Sequence, residues 1–247
     1  MTSKVERSGL RSIAGAIFPM LPSRLVTAFK NSREMAFWAE RHRRECGNLG
    51  NLHYEHFYTS YFGIPKAEYF EKKVLDMGCG PRGSLEWLEN ARERVGLDPL
   101  VDQYRRLGID THRMTYIRAP SEKIPFEDRH FDFVTSFNSL DHVDDIDKTL
   151  REITRVLKED GEFLLITEIN HSPTPTEPHT ISEDLVGGLS RDFLAVKTRL
   201  VAIRGDHDVY QSLLDGVPYG GKSTGSPGIL SARLRKKGGT RPEAARG

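Results

Sequence analysis

Cysteine is nearly absent: Cys46 and Cys79 are the two in 247 residues. They lie far apart and show no metal-ligand spacing, which argues against a disulfide framework and for a reducing, cytoplasmic setting. Long apolar runs are also missing. No stretch approaches the roughly 18 residues that a membrane span requires, so no transmembrane segment is expected. Neither sign of charge dominates, with a formal net charge of +1, and that balance gives no electrostatic case for nucleic acid as a partner. Acid is missing from one stretch, "RSIAGAIFPMLPSRLVTAFKNS", which carries Arg11, Arg24 and Lys30. Pro19 and Pro22 break its apolar run and no small-residue cleavage site follows, so it fails as a signal peptide. A helix covering the substrate cleft is the expected role. Peripheral membrane contact or an organellar transit segment is the alternative.

What is present alternates. After a helical stretch, "SREMAFWAERHRREC", comes the aromatic-rich "NLHYEHFYTSYFGIP", closed by Gly63 and Pro65. From Lys73 onward the strands "KVLDMG", "RVGLDP", "RMTYIRA", "FDFVTSF" and "EFLLITEI" are separated by helical patterns. "SLEWLENARERV" reads as a helix with Ser84 as N-cap, and "LVDQYRRLG" as a helix stopped by Gly108. "DKTLREITRVLKEDG" reads as a helix running to Gly161, with Leu150, Ile153, Val156 and Leu157 on one stripe. Such alternation implies βαβ units and a parallel sheet with helices on both faces. "VKTRLVAIRG" and "GILSARLRKK" are β-like with no clear crossover helix between them, and suit an antiparallel pair at the sheet edge. The chain thus divides into an N-terminal helical and aromatic lid segment (1–72), an α/β domain (73–237) and a disordered polar tail (238–247).

Gly78, Gly80 and Gly83 have the spacing G-x-G-x-x-G directly after the first strand, where an open α/β sheet binds its ligand. In a dinucleotide fold that loop presents amides and a helix end to a pyrophosphate. Two residues oppose this use. Pro81 removes an amide donor. Asp76 adds a negative charge where phosphates would lie, a repulsion of about 4 kcal/mol per unit charge at ~4 Å and an effective dielectric of ~20. A phosphate-free, cationic adenosine compound reverses that sign, and S-adenosylmethionine has both properties. Asp98, ending the second strand, stands where an acid accepts hydrogen bonds from ribose hydroxyls. The same feature serves NAD enzymes, and helix capping is its plainer use.

The ordered stretches "VLDMGCGPRG", "VGLDP", "APSEKIPFED", "FDFVTSFNSLDHVDD" and "LREITRVLKEDGEFLLITE" resemble the motifs of class I S-adenosylmethionine-dependent methyltransferases of the broad small-molecule type, from about Lys73 to Glu168. That resemblance implies a Rossmann-like, doubly wound α/β fold with a seven-stranded, mostly parallel sheet and an antiparallel last strand. It implies that Asp76, Gly78, Cys79 and Gly80 line the methionine part of S-adenosylmethionine and that Asp98 holds its ribose. Ser121 and Glu122 border adenine, and Asn138 faces the sulfonium. Cys79 is itself a small loop residue and not a nucleophile. Ser121 and Glu122 have capping as their plain alternative.

On the acceptor side, methyl transfer needs a positioned nucleophile and, for some acceptors, a base. His142, just beyond the fourth strand, is the candidate base; a hydrogen-bonding or bystander role is the alternative. The long loop after strand five (170–190) holds His171, Glu177 and His179 as acceptor-binding candidates, with local turn chemistry as the alternative. A metal set of Asp141, Glu168 and Asn170 can be drawn on paper, yet nothing in the sequence demands a metal, and none is expected. Among the aromatics Tyr54, Phe57, Tyr58, Tyr61 and Phe62, which could fold over the cleft, Tyr58 is the choice for a cation–π contact to the donor; packing against the sheet is the alternative for Phe57 and Phe62. The expected activity is therefore methyl transfer to a small molecule or a glycan or lipid intermediate. A donor-binding regulatory protein without catalysis is the alternative. An NAD-type oxidoreductase is opposed by Asp76 and Pro81.

Overall fold

The computed structural model describes residues 23–221 and 225–238; the basic stretch before Ser23 and the expected tail beyond residue 238 lie outside them. All seven expected strands form: β1 (Lys73–Met77), β2 (Glu93–Leu97), β3 (Thr115–Ile117), β4 (Phe131–Phe137), β5 (Leu157–Ile169), β6 (Phe193–Ala202) and β7 (Gly228–Lys236). They make one sheet in the order β3-β2-β1-β4-β5-β7-β6. β1 to β5 pair in parallel, and β7 slots antiparallel between β5 and β6. Val74, Leu75, Asp76 and Met77 are all buried, as befits a central parallel strand covered on both faces. The order reverses between β1 and β4, so the tips of β1, β2 and β4 open onto one crevice.

The helices are α1 (Ser23–Arg44), α2 (Tyr54–Tyr58), α3 (Val101–Tyr104), α4 (Ile146–Val156), α5 (Leu185–Gly188) and α6 (Val209–Asp215). α3 runs on as a 3₁₀ turn, Arg105–Leu107, and stops at left-handed Gly108 as expected. Two helix expectations need correction. Residues 84–91 form turns, not a helix. Leu85 and Leu88 are buried, and the Glu86 carboxylate accepts the Arg113 and Met114 amides at 2.8 and 3.0 Å. That ties the segment down as a turn, while Ser84 donates its hydroxyl to Asp76 instead of capping a helix. The second is α4, which starts at the Asp145 cap but ends at Val156. Leu157 already pairs with Phe131, and the register then slips to Phe133↔Glu162. Gly161 serves this bulge, since a Cβ there would lie 2.9 Å from the Lys158 carbonyl oxygen.

Tyr54, Phe57, Tyr58, Tyr61 and Phe62 are buried with Phe133, Phe137, Leu164 and Ile166 on one face of the sheet. Burial of this kind supplies about 1.5–3 kcal/mol per large side chain. These aromatics are core, and α1 lies against the glycine loop and the segment that follows β4. The Trp38 ring lies 2.8 Å from where a Gly80 Cβ would stand, and Lys30 donates to the His142 carbonyl at 2.9 Å and to Asp144 at 2.7 Å. At the end of α1, Arg82 grips both oxygens of Glu45 and the Gly50 carbonyl, its guanidinium 5.5 Å over the Trp38 ring. This pairing holds the Glu45 carboxyl down at about 2.

Candidate functional site

Gly78, Gly80 and Gly83 all adopt positive φ, at +64°, +56° and +71°. That left-handed geometry curls the loop back under the sheet and favours glycine. A Cβ on Gly78 would lie 2.4 Å from Ser139 Cβ, so the loop and the β4 tip touch directly. Because residues 84–91 are turns, no long helix starts at this loop, and the dipole that serves pyrophosphate in dinucleotide folds is not built.

Asp76 is engaged inward. One carboxylate oxygen accepts from Thr135 Oγ1 at 2.6 Å and the other from Ser84 Oγ, and the residue is 3% exposed. Burial pushes its carboxyl up to about 6. The Tyr58 hydroxyl, fully buried and without a hydrogen bond, faces the same cluster. Asp76 and Tyr58 thus support the loop from below. Cys79 packs against Gly96, and burial lifts its thiol well above the usual range, which removes it as a nucleophile.

Asp98 is the acid that belongs to the crevice rim. Its oxygens accept the amides of Leu100 at 2.8 Å and Gly80 at 3.3 Å, joining the β2 tip to the glycine loop. Burial raises its carboxyl to about 7, with Glu34 of α1 pushing the same way. Asn138 sits at φ +53°, its amide donating to Ile166 O at 2.7 Å, its Oδ1 buried without a partner. Ser121 is buried. Glu122 turns away to cap the Asp144 and Asp145 amides at 2.6 and 3.0 Å. An acid, a loop that accepts no Cβ and an orphaned amide oxygen around one crevice suit a polar, phosphate-free nucleoside.

A second group lies just past the β4 tip, beginning two residues after Ser139. Asp141, 2% exposed, places one oxygen 3.4 Å from His171 Nε2 and the other 4.0 Å from His142 Nε2. His142 Nε2 is also 3.9 Å from Glu177 Oε1. Glu177 is aimed by its own turn: Thr174 Oγ1 donates to Glu177 Oε2 at 2.9 Å and accepts the Glu177 amide at 3.0 Å. The Asp141 carboxylate raises His171 to about 9. His142, His171 and Glu177 are therefore brought together. His179 is not: its Nε2 donates to the Val143 carbonyl at 2.9 Å and braces the loop. The metal set drawn from the sequence is not assembled either. Asn170 donates instead to Glu183 at 2.7 Å and Tyr219 at 2.9 Å, and Glu168 lies 3.4 Å from His207. Sequence reasoning passed over Trp38, the Arg82–Glu45 grip and the Ser84–Thr135 pair. A hydroxyl in the apolar run of β4 was the only available signal.

Residues 75–165 match the family model of a methyltransferase domain. An uncharacterised methyltransferase of Bacillus subtilis, YcgJ, is 30% identical over 129 residues, covering 49% of this chain and 48% of that protein. UbiE of Psychromonas ingrahamii, a ubiquinone/menaquinone biosynthesis C-methyltransferase, is 42% identical over 124 residues, covering 46% and 47%. The chain thus spans about half the length of the curated relatives it matches. Among solved structures, a chain from the complex between the Haloferax volcanii Trm112 methyltransferase activator and a methyltransferase overlays with a TM-score of 0.58 at 17% identity. That overlay covers 83% of this chain and 98% of that one; at such identity the likeness concerns the fold. No helix among the described residues is long and apolar enough to cross a membrane.

Proposed function

We propose that this chain, whose residues 75–165 match a methyltransferase domain, is an S-adenosylmethionine-dependent enzyme that moves a methyl group to a small-molecule acceptor. The acceptor is held between the glycine loop and the Asp141–His142–Glu177 group. The observation that carries this reading is the contact between those two halves: Ser139 packs on Gly78, and the 3₁₀ turn Leu140–His142 follows at once.

S-adenosylmethionine, when bound, supplies a methyl group already activated by its sulfonium. The chain's part is to bind, orient and take a proton. Asp98 accepts from the ribose hydroxyls, as an ionised acid can and a neutral one does poorly. The orphaned Asn138 Oδ1 offers an acceptor toward the cationic end. α1 closes over the loop through Trp38 and excludes water. Such positioning is worth about 7–11 kcal/mol in a displacement reaction. Proton removal from the acceptor turns on the imidazole–carboxylate group, in which His142 is the more open imidazole, its side chain 30% exposed against 10% for His171. General-base assistance of that kind contributes about 10²–10⁴-fold.

The test is binding and transfer measured together. S-adenosylhomocysteine should bind the purified chain with one site, and labelled methyl should pass to hydroxyl- or amine-bearing small molecules. Tight donor binding with no transfer to any acceptor would favour a regulatory donor-binding protein. No donor binding at all would defeat both.

A further inference from the structure

Asp141, His142 and Glu177 each point one ligating atom inward, and the three lie within 4.8 Å of one another. Glu177 Oε2 is fastened elsewhere, accepting from Thr174 at 2.9 Å, and Asp141 Oδ2 lies 3.4 Å from His171 Nε2, close enough for charge attraction but outside hydrogen-bond geometry. The inward oxygen of Asp141 is buried and has no hydrogen-bond partner, in a residue only 2% exposed. A buried carboxylate oxygen left in that condition is uncommon, because the lost hydration goes unreplaced. The opposite side of the group is open: the side chains of His142 and Glu177 are 30% and 35% exposed.

We propose that Asp141, His142 and Glu177 bind one divalent transition-metal ion, with His171 as a positioning residue behind Asp141. One imidazole and two carboxylates favour zinc, manganese or iron over calcium or magnesium, which seek oxygen alone. Three protein ligands leave a coordination position on the side where His142 and Glu177 are exposed, the pattern of a catalytic rather than a structural site. Ligands bound at about 2.0–2.2 Å lie closer together than the 3.9 and 4.0 Å seen around His142 Nε2. Closing that gap takes only small rotations of the two exposed side chains. His171 holds the Asp141 carboxylate as an outer-shell partner holds a ligand. The catalytic consequence rests on the methyl-transfer reading above. With an ion bound, the site would lower the pKa of an acceptor hydroxyl at the open position, the proton leaving to water, and His142 would serve as a ligand in place of the base role it has in the metal-free site. The acceptor class that fits is a hydroxyl with a second oxygen nearby, able to chelate.

Calorimetry on the full chain, stripped with chelator and titrated with Zn²⁺ and then Mn²⁺, tests this directly. One saturable site is expected, insensitive to competing Mg²⁺. His142→Ala and Glu177→Gln, both at partly exposed positions, should each weaken it at least about tenfold, and His171→Asn by about 10–100-fold. Thermal melts of the same samples report whether the fold survives. Absence of saturable binding, or binding unchanged in His142→Ala and Glu177→Gln, overturns the proposal. S-adenosylhomocysteine binding is measured on each sample. Donor binding without metal binding removes the ion alone, and metal binding without donor binding removes the methyl-transfer reading alone.

Discussion

Replacing Asp98 with asparagine should stabilise the fold and damage donor binding at once. An unfolded aspartate ionises near 3.8, whereas Asp98 in the folded chain ionises near 7. Across that window the folded state keeps a proton that the unfolded state has released, so stability falls as pH rises from about 4 to 7 and the cost is complete above it. At roughly 1.4 kcal/mol per pKa unit, the full cost is about 4 kcal/mol at pH 8. Asparagine removes this cost but offers one acceptor oxygen to the two amides of Leu100 and Gly80, which costs about 1–1.5 kcal/mol. A net gain of roughly 2–3 kcal/mol remains, or an increase in Tm of about 5–10 °C for a chain of this size. At pH 5, where the native carboxyl is already protonated, the two proteins should melt within about 1 kcal/mol of each other. Calorimetry with S-adenosylhomocysteine should show the native affinity rising from pH 6 to pH 8 as the carboxylate forms. In Asp98→Asn that affinity should fall about 10–100-fold, the worth of a hydrogen bond to a charged group, and lose its pH dependence. Equal destabilisation at both pH values with unchanged donor affinity would reduce Asp98 to a cap on Leu100 and refute the reasoning.

Gly80→Ala should weaken donor binding and cost stability of about 1–3 kcal/mol, since its φ is +56° and its Cβ would meet Trp38 at 2.8 Å; Gly80→Ala with Trp38→Ala should be less than additive in thermal melts. Arg82→Ala frees the end of α1 and leaves Glu45 unpaired. Because Glu45 is held at about 2 against an ordinary 4.5, the native pairing contributes above pH 4.5 and is lost as pH falls toward 2, by roughly 1 kcal/mol after allowance for solvent screening. Urea melts of Arg82→Ala and the native chain should therefore differ at pH 7 and converge at low pH. His142→Ala should lower turnover about 10²–10⁴-fold while leaving S-adenosylhomocysteine affinity within a few-fold; a matching loss of donor affinity would place the ring in the donor pocket instead.

How much of this could be read from the residues follows from the range of the interactions involved. The central strands were legible because burial on two faces leaves largely apolar runs such as "VLDM" and "FLLITEI", and β6 and β7 were legible as β-like runs, although the short helix α6 between them was not foreseen. Residues 84–91 misled because their spacing is helical while Ser84 and Glu86 are claimed by Asp76 and by the Arg113 and Met114 amides, partners 8 and 27 residues or more away. Tertiary bonds overrode the local preference. The same holds for Glu122, whose cap lies at Asp144 and Asp145, and for Asn170, drawn to Glu183 and Tyr219. His142, singled out as a base, and His171 and Glu177, singled out for the acceptor, lie near one another because the chain returns toward the β4 tip after β5. That they share Asp141 depends on loop geometry that no periodicity encodes.

Asp76 shows where an electrostatic argument from sequence moves once the fold is known. Its proximity to the loop was right, and its role as a bare charge facing the ligand was not: two hydroxyls consume both oxygens, and burial lets it ionise only near 6. The preference for a phosphate-free ligand survives on other grounds. The loop lacks the helix end that would offset a pyrophosphate, Pro81 withholds an amide, and Asp98, rather than Asp76, supplies the negative edge of the crevice. Asp98 is costly to keep ionised, and a protein selected for stability alone would place asparagine there. Retaining the acid makes sense where hydroxyl donors arrive to stabilise its charged form, so the strain at the β2 tip and the binding of a nucleoside are two sides of one free energy.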